Sequence, residues 1–178
     1  MSLIFFGFPG AGKTYFGKLL AEKVRCPFVD LDELLAEGRS GRELFKTLGE
    51  KDFRKLERQA LFRLHPAVDS VIALGGGTVL DPQNVSLLQT LGHFVYLHAG
   101  FETIQKKMIE HDLTTFVTEE NPVESLKVLY QERLPIFEAI PAKKVSIDHL
   151  NEAGVIASLR AIWDETHTLK HPPSHRSF

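Results

Sequence analysis

Short apolar runs alternate along the chain with longer segments in which apolar residues recur every three or four positions. Runs of the first kind are typical of buried strands, and the longer periodicity is typical of amphipathic helices. The predicted strands cover residues 3–6, 27–30, 70–74, 93–97 and 144–147. The predicted helices cover residues 13–24, 51–64, 82–91, 101–109, 122–133 and 152–163. This alternation predicts an α/β fold, with helices on both faces of a parallel sheet.

The junction between the first strand and the first helix carries a phosphate-binding signature. Its sequence, Gly7-Phe8-Pro9-Gly10-Ala11-Gly12-Lys13-Thr14, has the full G-x-x-x-x-G-K-[ST] spacing. The glycines let backbone N–H groups turn toward a phosphate, and the helix start adds oriented dipoles and free donors. Lys13 supplies a charge for the β- and γ-phosphates, and the Thr14 hydroxyl is suited to bind Mg²⁺. Because a strand precedes it and a helix follows it, the motif favours nucleotide binding over a simple glycine-rich turn.

Length, charge and cysteine content narrow the class of protein. A chain of 178 residues predicts a single domain. The net charge of −2 offers no broad basic surface for nucleic acid or membrane, and no apolar run is long enough to cross a bilayer. The single cysteine, Cys26, excludes an internal disulfide and is typical of a reduced, cytoplasmic protein. Since no large exposed apolar pattern demands a partner, we expect a monomer.

Two carboxylates follow the second predicted strand, in the sequence Val29-Asp30-Leu31-Asp32. Ligands of open parallel sheets bind at the carboxyl ends of the strands, and a phosphate-loop enzyme needs a carboxylate near Mg²⁺. Acids at alternate positions of an extended segment point the same way, so Asp30 and Asp32 are the best candidates for this role. The alternative is that Asp32 caps a helix beginning at Glu33, which is compatible with a position at the site.

Three consecutive glycines, Gly75, Gly76 and Gly77, end the third predicted strand. Ordering glycine costs more backbone entropy than ordering any other residue. A tight turn accounts for one or two of them, and three indicate that a ligand approaches the backbone closely.

Two arginines occupy positions from which they can reach an anion. Arg54 and Glu57 lie three residues apart on a predicted helix and can pair on one side of it. Arg133 precedes Leu134-Pro135, which is predicted to close its helix, because proline disfavours the helical conformation in the residue before it. Taken alone, a solvated salt bridge and a solvated helix cap are the more ordinary interpretations of these residues.

Together these motifs resemble the shikimate kinase family, in order and over almost the whole chain, from the phosphate loop to about residue 163. The phosphate loop is shared by many nucleotide-binding proteins, but the four other motifs favour this family over gluconate, adenylate and nucleoside kinases. The resemblance implies a three-layer α/β/α P-loop kinase fold with a central five-stranded parallel sheet and a lid. It implies one domain over residues 1–164, with a substrate-binding helical region at about 31–64 and a lid at about 110–121. Residues 165–178 contain Pro172-Pro173 and are expected to form a disordered tail.

The resemblance also implies the transfer of a phosphoryl group from ATP to shikimate, giving 3-phosphoshikimate on the route to chorismate and the aromatic amino acids. The residues implied to bind the nucleotide are Gly10, Ala11, Gly12, Lys13, Thr14 and Tyr15. Those implied to bind shikimate are Asp32, Arg54, Gly75, Gly76, Gly77 and Arg133, with Glu57 orienting Arg54. Lys13 and Asp32 would be catalytic, with Asp32 taking the proton of a shikimate hydroxyl, and Thr14 and Asp30 would hold Mg²⁺. Two guanidinium groups suit the substrate carboxylate, because each offers parallel donors to it.

The chain departs from the family at the lid. The family carries an Arg-Pro-Leu-Leu type motif there, whereas this chain reads Leu113-Thr114-Thr115-Phe116-Val117 and has no arginine between Arg63 and Arg133. A phosphate-facing arginine contributes about 10³–10⁵ to the rate in other phosphoryl-transfer systems. Lys106 and Lys107, just upstream, would keep the charge but lack the fork geometry of arginine.

Three hypotheses follow from this departure. The first is an active shikimate kinase in which a lysine assists the lid. The second is a kinase of another small carboxylate-bearing alcohol. The third is a nucleotide- or shikimate-binding protein with impaired catalysis, against which the presence of Lys13, Thr14, Asp30 and Asp32 counts.

Overall fold

A computed structural model describes residues 1–36, 41–64, 68–111 and 120–168 of the chain. Its strands are β1 (Ser2–Phe6), β2 (Phe28–Asp30), β3 (Val71–Ala73), β4 (Gly92–His98) and β5 (Lys143–Ser146). They form one parallel sheet in the order β2-β3-β1-β4-β5. The five-stranded parallel sheet predicted from the apolar runs is confirmed, and each strand differs from its predicted bounds by one or two residues.

The described residues also contain helices between the strands. They are α1 (Lys13–Val24), α2 (Leu31–Ala36), α3 (Gly41–Arg63), α4 (Pro82–Gln89), α5 (Phe101–His111), α6 (Pro122–Ala139) and α7 (Glu152–Thr168). A short 3₁₀ turn, Thr78–Leu80, precedes α4. Asp81 and Asn121 cap α4 and α6, each just ahead of a proline, as is common at helix starts. No helix in these described ranges is both long enough and apolar enough to cross a bilayer.

The order of the strands places the helices on two faces. The chain moves in one direction across the sheet from β1 to β2 and in the other from β3 to β4. Because crossovers between parallel strands are right-handed, α1 and α4 must lie on opposite faces. The contacts agree, since α7 packs on α1 and α3 packs on α4. The result is the three-layer α/β/α arrangement expected for a P-loop kinase.

The first strand forms the centre of the core. All five residues of β1 are buried, as expected for a strand flanked by β3 and β4 and covered on both faces. Phe6, the last residue of β1, stacks on Tyr96 of β4 with a ring separation of 5.0 Å. The phosphate loop therefore starts from a fully buried strand at the centre of the sheet.

Helix α6 contains Pro135 and continues beyond it, so the prediction that this helix closes near Arg133 is wrong. A proline inside a helix removes a backbone hydrogen bond and costs about 3 kcal/mol. Here the ring of Phe137 is fully buried and packs edge-on against Phe6 and Phe8, with centroids 6.0 and 5.0 Å away. Burying a phenylalanine contributes about 1.5–3 kcal/mol and each aromatic pair about 0.5–1.5 kcal/mol more, which offsets the proline. Arg133 is consequently an interior residue of α6.

Helix bounds differ from the predictions elsewhere too. Helix α3 combines two helical segments across a kink at Gly49, whose φ of 73° is not helical. The capping box Ser40-Gly41-Arg42-Glu43 predicts the first segment as a short helix, and the second corresponds to the helix predicted at 51–64. Helix α7 runs to Thr168, so the prediction of a disordered tail from residue 165 is wrong for residues 165–168. The ring of His167 stacks on Trp163 at 3.8 Å and extends this helix past its apolar pattern. The remaining tail, residues 169–178, and most of the predicted lid, residues 112–119, lie outside the described part of the chain.

Candidate active site

The phosphate loop connects β1 to α1 in the manner that the motif predicts. Gly7 has a φ of 145°, and a Cβ at this position would overlap the carbonyl oxygen of Leu97 on β4. Gly12 has a φ of 80° directly before α1. Both conformations are open to glycine and strained for other residues. The loop thereby delivers unpaired backbone donors of the α1 N-terminus to the edge of the sheet.

The side chain of Lys13 folds back over the loop. Its Nζ donates to the main-chain carbonyls of Gly7 and Phe8, at 3.0 and 2.9 Å. Burial lowers the pKa of Lys13 to about 8, and the nearby carboxylates of Asp32 and Asp30 oppose this shift. An ammonium group in this position is ready to exchange carbonyl partners for phosphate oxygens.

Thr14 and Asp30 meet at the carboxyl end of β2. The Thr14 hydroxyl donates to Oδ2 of Asp30 at 2.5 Å. The other oxygen, Oδ1, accepts the backbone N–H groups of Asp32 and Glu33 at 2.9 and 3.2 Å. Asp30 thus caps α2, and the alternative in which Asp32 caps a helix beginning at Glu33 is wrong, because α2 already begins at Leu31.

Asp32 is left with its carboxylate directed to the cavity. It stands in the first turn of α2, so the expectation that Asp30 and Asp32 lie at alternate positions of an extended segment is wrong, although Asp32 does line the cavity. Burial raises the pKa of Asp32 to about 6, the positive charge of Lys13 lowers it, and the carboxylates of Asp30 and Glu57 raise it further. A carboxyl group with this pKa can exchange a proton near neutral pH.

Each of the three glycines after β3 faces a different neighbour. A Cβ on Gly75 would lie 2.7 Å from Oδ1 of Asp32, and one on Gly76 would lie 2.6 Å from the Pro9 ring. A Cβ on Gly77 would overlap the guanidinium group of Arg54. The glycines therefore permit the approach of three protein groups that belong to α2, the phosphate loop and α3.

Arg54 and Arg133 converge on this glycine turn from different helices. Arg54 on α3 pairs with Glu57 through Nη1 and Oε2 at 2.9 Å, while Nη1 of Arg133 on α6 donates to the Gly76 carbonyl at 3.2 Å. Burial lowers the pKa of Arg133, and so does the positive charge of Arg54. Two guanidinium groups that repel each other are suited to bind an anion between them.

These groups surround one cavity of about 930 Å³. Among the predicted residues, those that line it are Gly10, Gly12, Lys13, Thr14, Tyr15, Asp32, Arg54, Gly75, Gly76 and Gly77. Asp30 and Arg133 contact residues of this lining through the bonds described above. Ala11 is fully buried and gives its N–H to the Phe8 carbonyl at 3.1 Å, so any contact it makes with a ligand is through the backbone.

Several residues of the cavity were missed by sequence reasoning. Phe45 and Phe53 form an apolar wall of the cavity, with their rings 5.3 Å apart. Thr103 and Ile147, on α5 and just after β5, also line the cavity without any local signal. Thr78, behind the cavity lining, also has no local signal in the sequence, and its buried hydroxyl donates to the lining residue Glu57 at 2.6 Å.

The two lysines upstream of the predicted lid are not equivalent. Lys107 lines the cavity and lies 3.6 Å from Glu110, and 41% of its side chain is exposed. The side chain of Lys106 is 76% exposed and lies 3.9 Å from the same carboxylate. Of the two, Lys107 has the position from which a cation can reach a ligand in the cavity.

Tyr15 forms part of the rim beside the phosphate loop. Its ring is 52% exposed and meets Phe16 edge-on, with centroids 5.2 Å apart. Its hydroxyl donates to the carboxylate of Glu152, the first residue of α7, and this hydrogen bond raises the pKa of Tyr15. The ring is therefore held at the cavity from both sides.

Comparison with known proteins agrees with the geometry. The profile of the family described as "Shikimate kinase" matches residues 9–163. A shikimate kinase of Thermodesulfovibrio yellowstonii is 36% identical over 139 residues, which cover 77% of this chain and 80% of that protein. A shikimate kinase of Xylella fastidiosa is 32% identical over 171 residues, or 93% of this chain and 95% of that protein. The solved structure of a shikimate kinase from Acinetobacter baumannii, in complex with shikimate, is 27% identical and covers 97% of this chain and 96% of its own, with a TM-score of 0.78.

Proposed function

Because the chain belongs to the shikimate kinase family, whose members transfer a phosphoryl group to an alcohol, we propose that it transfers the γ-phosphoryl group of ATP to a hydroxyl group of shikimate. The products are ADP and 3-phosphoshikimate, on the route to chorismate and the aromatic amino acids. The observation that carries this proposal is the convergence of Arg54 and Arg133 on a glycine turn that packs against the phosphate loop. This arrangement supports a carboxylate site and a phosphate site on one cavity.

The phosphates of ATP bind to the backbone of the loop and to Lys13 in this proposal. Gly10 and Gly12 offer main-chain donors, while the Ala11 N–H already donates to the Phe8 carbonyl, and Thr14 and Tyr15 lie in the first turn of the helix whose dipole favours an anion. With a pKa of about 8, Lys13 is largely protonated at neutral pH, and its present partners are neutral carbonyls. Phosphate oxygens are stronger acceptors for an ammonium group, which supports the exchange.

Thr14 and Asp30 fit a magnesium ion. A hydroxyl oxygen and a carboxylate oxygen already lie 2.5 Å apart, and both are the hard oxygen donors that Mg²⁺ prefers. Mg²⁺ in such sites has few protein ligands and keeps waters and phosphate oxygens for the rest. When bound, the ion neutralises charge on the β- and γ-phosphate oxygens. The second oxygen of Asp30 stays fixed by the α2 backbone, which orients the carboxylate.

Shikimate binds through its carboxylate to Arg54 and Arg133. The structure supports this assignment, because the two guanidinium groups approach the glycine turn from α3 and α6 and repel each other without an anion. Phe45 and Phe53 suit the apolar part of the substrate ring. Anchoring the carboxylate fixes where the hydroxyl groups fall, and this positioning is most of what phosphoryl transfer requires.

Asp32 accepts the proton of the attacking hydroxyl. Its carboxylate lies against Gly75, within the electrostatic reach of Lys13, and its raised pKa makes it a better base than a solvated aspartate. The nucleophile's proton leaves late in a loose transition state, so a moderately strong base is sufficient.

The alternatives to an active shikimate kinase rest on the missing lid arginine. The position of Lys107 at the cavity supports the first hypothesis over a catalytically impaired binder. The two arginines do not distinguish shikimate from another small carboxylate-bearing alcohol. We further propose a cytoplasmic monomer; the single cysteine, typical of a reduced protein, supports the cytoplasmic location.

A coupled ADP-release assay tests the proposal, with ATP, Mg²⁺ and shikimate and a blank without shikimate. The methyl ester of shikimate serves as a matched substrate that lacks the negative charge. Shikimate-dependent ADP release, with a much higher KM for the ester, supports the kinase and its arginine site. Binding of shikimate by calorimetry without turnover contradicts an active enzyme. The absence of both turnover and binding directs the search to other carboxylate-bearing alcohols.

A further inference from the structure

The carboxylate of Glu57 is fully buried and has a different partner on each oxygen. Glu57 as a whole is 0% exposed. Oε2 accepts from Nη1 of Arg54 at 2.9 Å, and Oε1 accepts from the hydroxyl of Thr78 at 2.6 Å. A buried carboxylate is costly unless it is paired and hydrogen-bonded, so both partners are needed to keep it in place.

Thr78 is itself held rigidly. It is also 0% exposed and opens the 3₁₀ turn that follows the glycines. Its N–H donates to the Gly75 carbonyl at 3.3 Å, and its own carbonyl accepts from Nδ2 of the buried Asn84 at 3.0 Å. The hydroxyl is therefore presented to Glu57 from a fixed backbone.

This arrangement limits how Glu57 engages Arg54. A guanidinium group has five N–H donors and prefers to meet a carboxylate through two parallel bonds. Because the Thr78 hydroxyl holds Oε1, the Glu57 carboxylate is oriented so that Oε2 meets Arg54, and the guanidinium group lies beside Gly77. Without the hydroxyl, the carboxylate is free to turn so that both of its oxygens accept from Arg54 and draw the guanidinium group away from the substrate.

We propose that Thr78 is a positioning residue for substrate recognition, which acts through Glu57 to keep the Arg54 guanidinium open to a substrate carboxylate. The inference rests on the proposed function, since it assigns Thr78 to the carboxylate end of that site. Thr78 is buried behind the cavity lining and bonds to Glu57 and not to the phosphate loop, so we expect its effect to concern shikimate and not ATP.

Thr78→Val tests this, because valine keeps the shape of threonine and removes the hydroxyl. We expect the KM for shikimate to rise about tenfold, the size associated with a lost hydrogen bond to a charged group, with the KM for ATP unchanged. Thr78→Ser restores the hydroxyl and should return the KM to within about twofold of wild type on the same reasoning. If the valine variant does not fold, Thr78→Ala removes the hydroxyl with less steric demand.

Ser70→Ala is the matched control. Ser70 precedes β3 as Thr78 follows it, and its buried hydroxyl lies 3.0 Å from that of Ser2, away from the cavity. The control should lower the melting temperature without a change in either KM. An equal rise in both KM values for Thr78→Val, or a rise for Ser70→Ala as well, means that Thr78 is structural and overturns the proposal.

A double-mutant cycle shows whether the effect passes through Glu57. In a Glu57→Gln background, Thr78→Val should raise the KM for shikimate no further, since coupled residues are not additive. If the two substitutions raise the KM for shikimate additively, Thr78 does not act through Glu57, and the proposal is contradicted. Wild-type protein without shikimate-dependent turnover contradicts the proposed function instead, whereas active wild type with an unaltered valine variant contradicts this inference alone.

Discussion

Arg133, in the interior of α6, donates to the main-chain carbonyl of Gly76 at 3.2 Å, across 57 positions of sequence. The bond joins a helix that follows the predicted lid to the turn that follows β3. It also keeps the guanidinium group near Arg54, whose charge lowers the pKa of Arg133. An anion placed between them relieves that repulsion.

Arg133→Ala should raise the KM for shikimate about 10- to 100-fold and change the KM for ATP much less, because two charge-assisted hydrogen bonds to the carboxylate are lost. Initial rates at varied shikimate and varied ATP measure both values. Arg133→Lys keeps the charge without the fork and should fall between wild type and alanine. Equal effects on the two KM values contradict the assignment of Arg133 to the carboxylate.

The pH profile should report Asp32 and Lys13. We expect kcat/KM for shikimate to rise as pH increases through about 6, where Asp32 loses its proton, and to fall above about 8, where Lys13 loses its own. Asp32→Asn should lower kcat by about 10²–10⁴, the usual contribution of a general base, and remove the acidic limb. If the acidic limb of the pH profile remains in Asp32→Asn, the proton lost near pH 6 belongs to another group.

Thermal unfolding provides the control for Asp32→Asn. The folded pKa of about 6 lies above the ordinary value of 3.8, so the unfolded chain releases this proton at lower pH. The carboxylate therefore costs stability as pH rises from about 4 to about 6, and the full cost is present at pH 7.5. The asparagine variant should melt no lower than wild type at pH 7.5, and a much lower melting temperature would assign its lost activity to misfolding.

Lys107→Ala should lower kcat about tenfold, the effect of losing one charge-assisted contact to phosphate, if lysine stands in for the lid arginine. Lys106→Ala is the matched control, since it removes an adjacent lysine whose side chain is largely exposed. Single-turnover rates with saturating ATP separate the chemical step from nucleotide binding. An unchanged kcat for Lys107→Ala, or equal losses in both variants, rejects this role.

Neighbouring glycines should affect different substrates. Gly76→Ala forces a methyl group against the Pro9 ring in the phosphate loop, so the KM for ATP should rise. Gly77→Ala displaces the Arg54 guanidinium, so the KM for shikimate should rise. Overpacking of this kind typically costs about 1–3 kcal/mol, or roughly 5- to 150-fold in affinity. If both variants change the two KM values in the same way, the assignment of Gly76 to the phosphate loop and of Gly77 to Arg54 is contradicted.

The sequence was sufficient where the chemistry is local. The phosphate loop, the five strands and the carboxylate at the end of β2 follow from spacing and apolar runs, because each depends on adjacent residues. Pro135 misled the prediction of α6, since the burial of Phe137 that offsets it depends on residues far along the chain. The contact of Thr78 could not be predicted for the same reason, because its partner Glu57 lies 21 positions away on another helix. The sequence also could not show which of Lys106 and Lys107 lines the cavity, because that depends on how α5 is oriented against it.

The glycine turn after β3 has a consequence for inhibitor design. Its three residues are glycines, and they are crowded by Asp32, by Pro9 of the phosphate loop and by Arg54. A competitive inhibitor that rests on the main chain of this turn would contact a surface that single substitutions cannot reshape without loss of catalysis. Resistance would then have to arise elsewhere, at Phe45 or Phe53 on the apolar wall, where a change in ring size alters the fit and leaves the arginines in place.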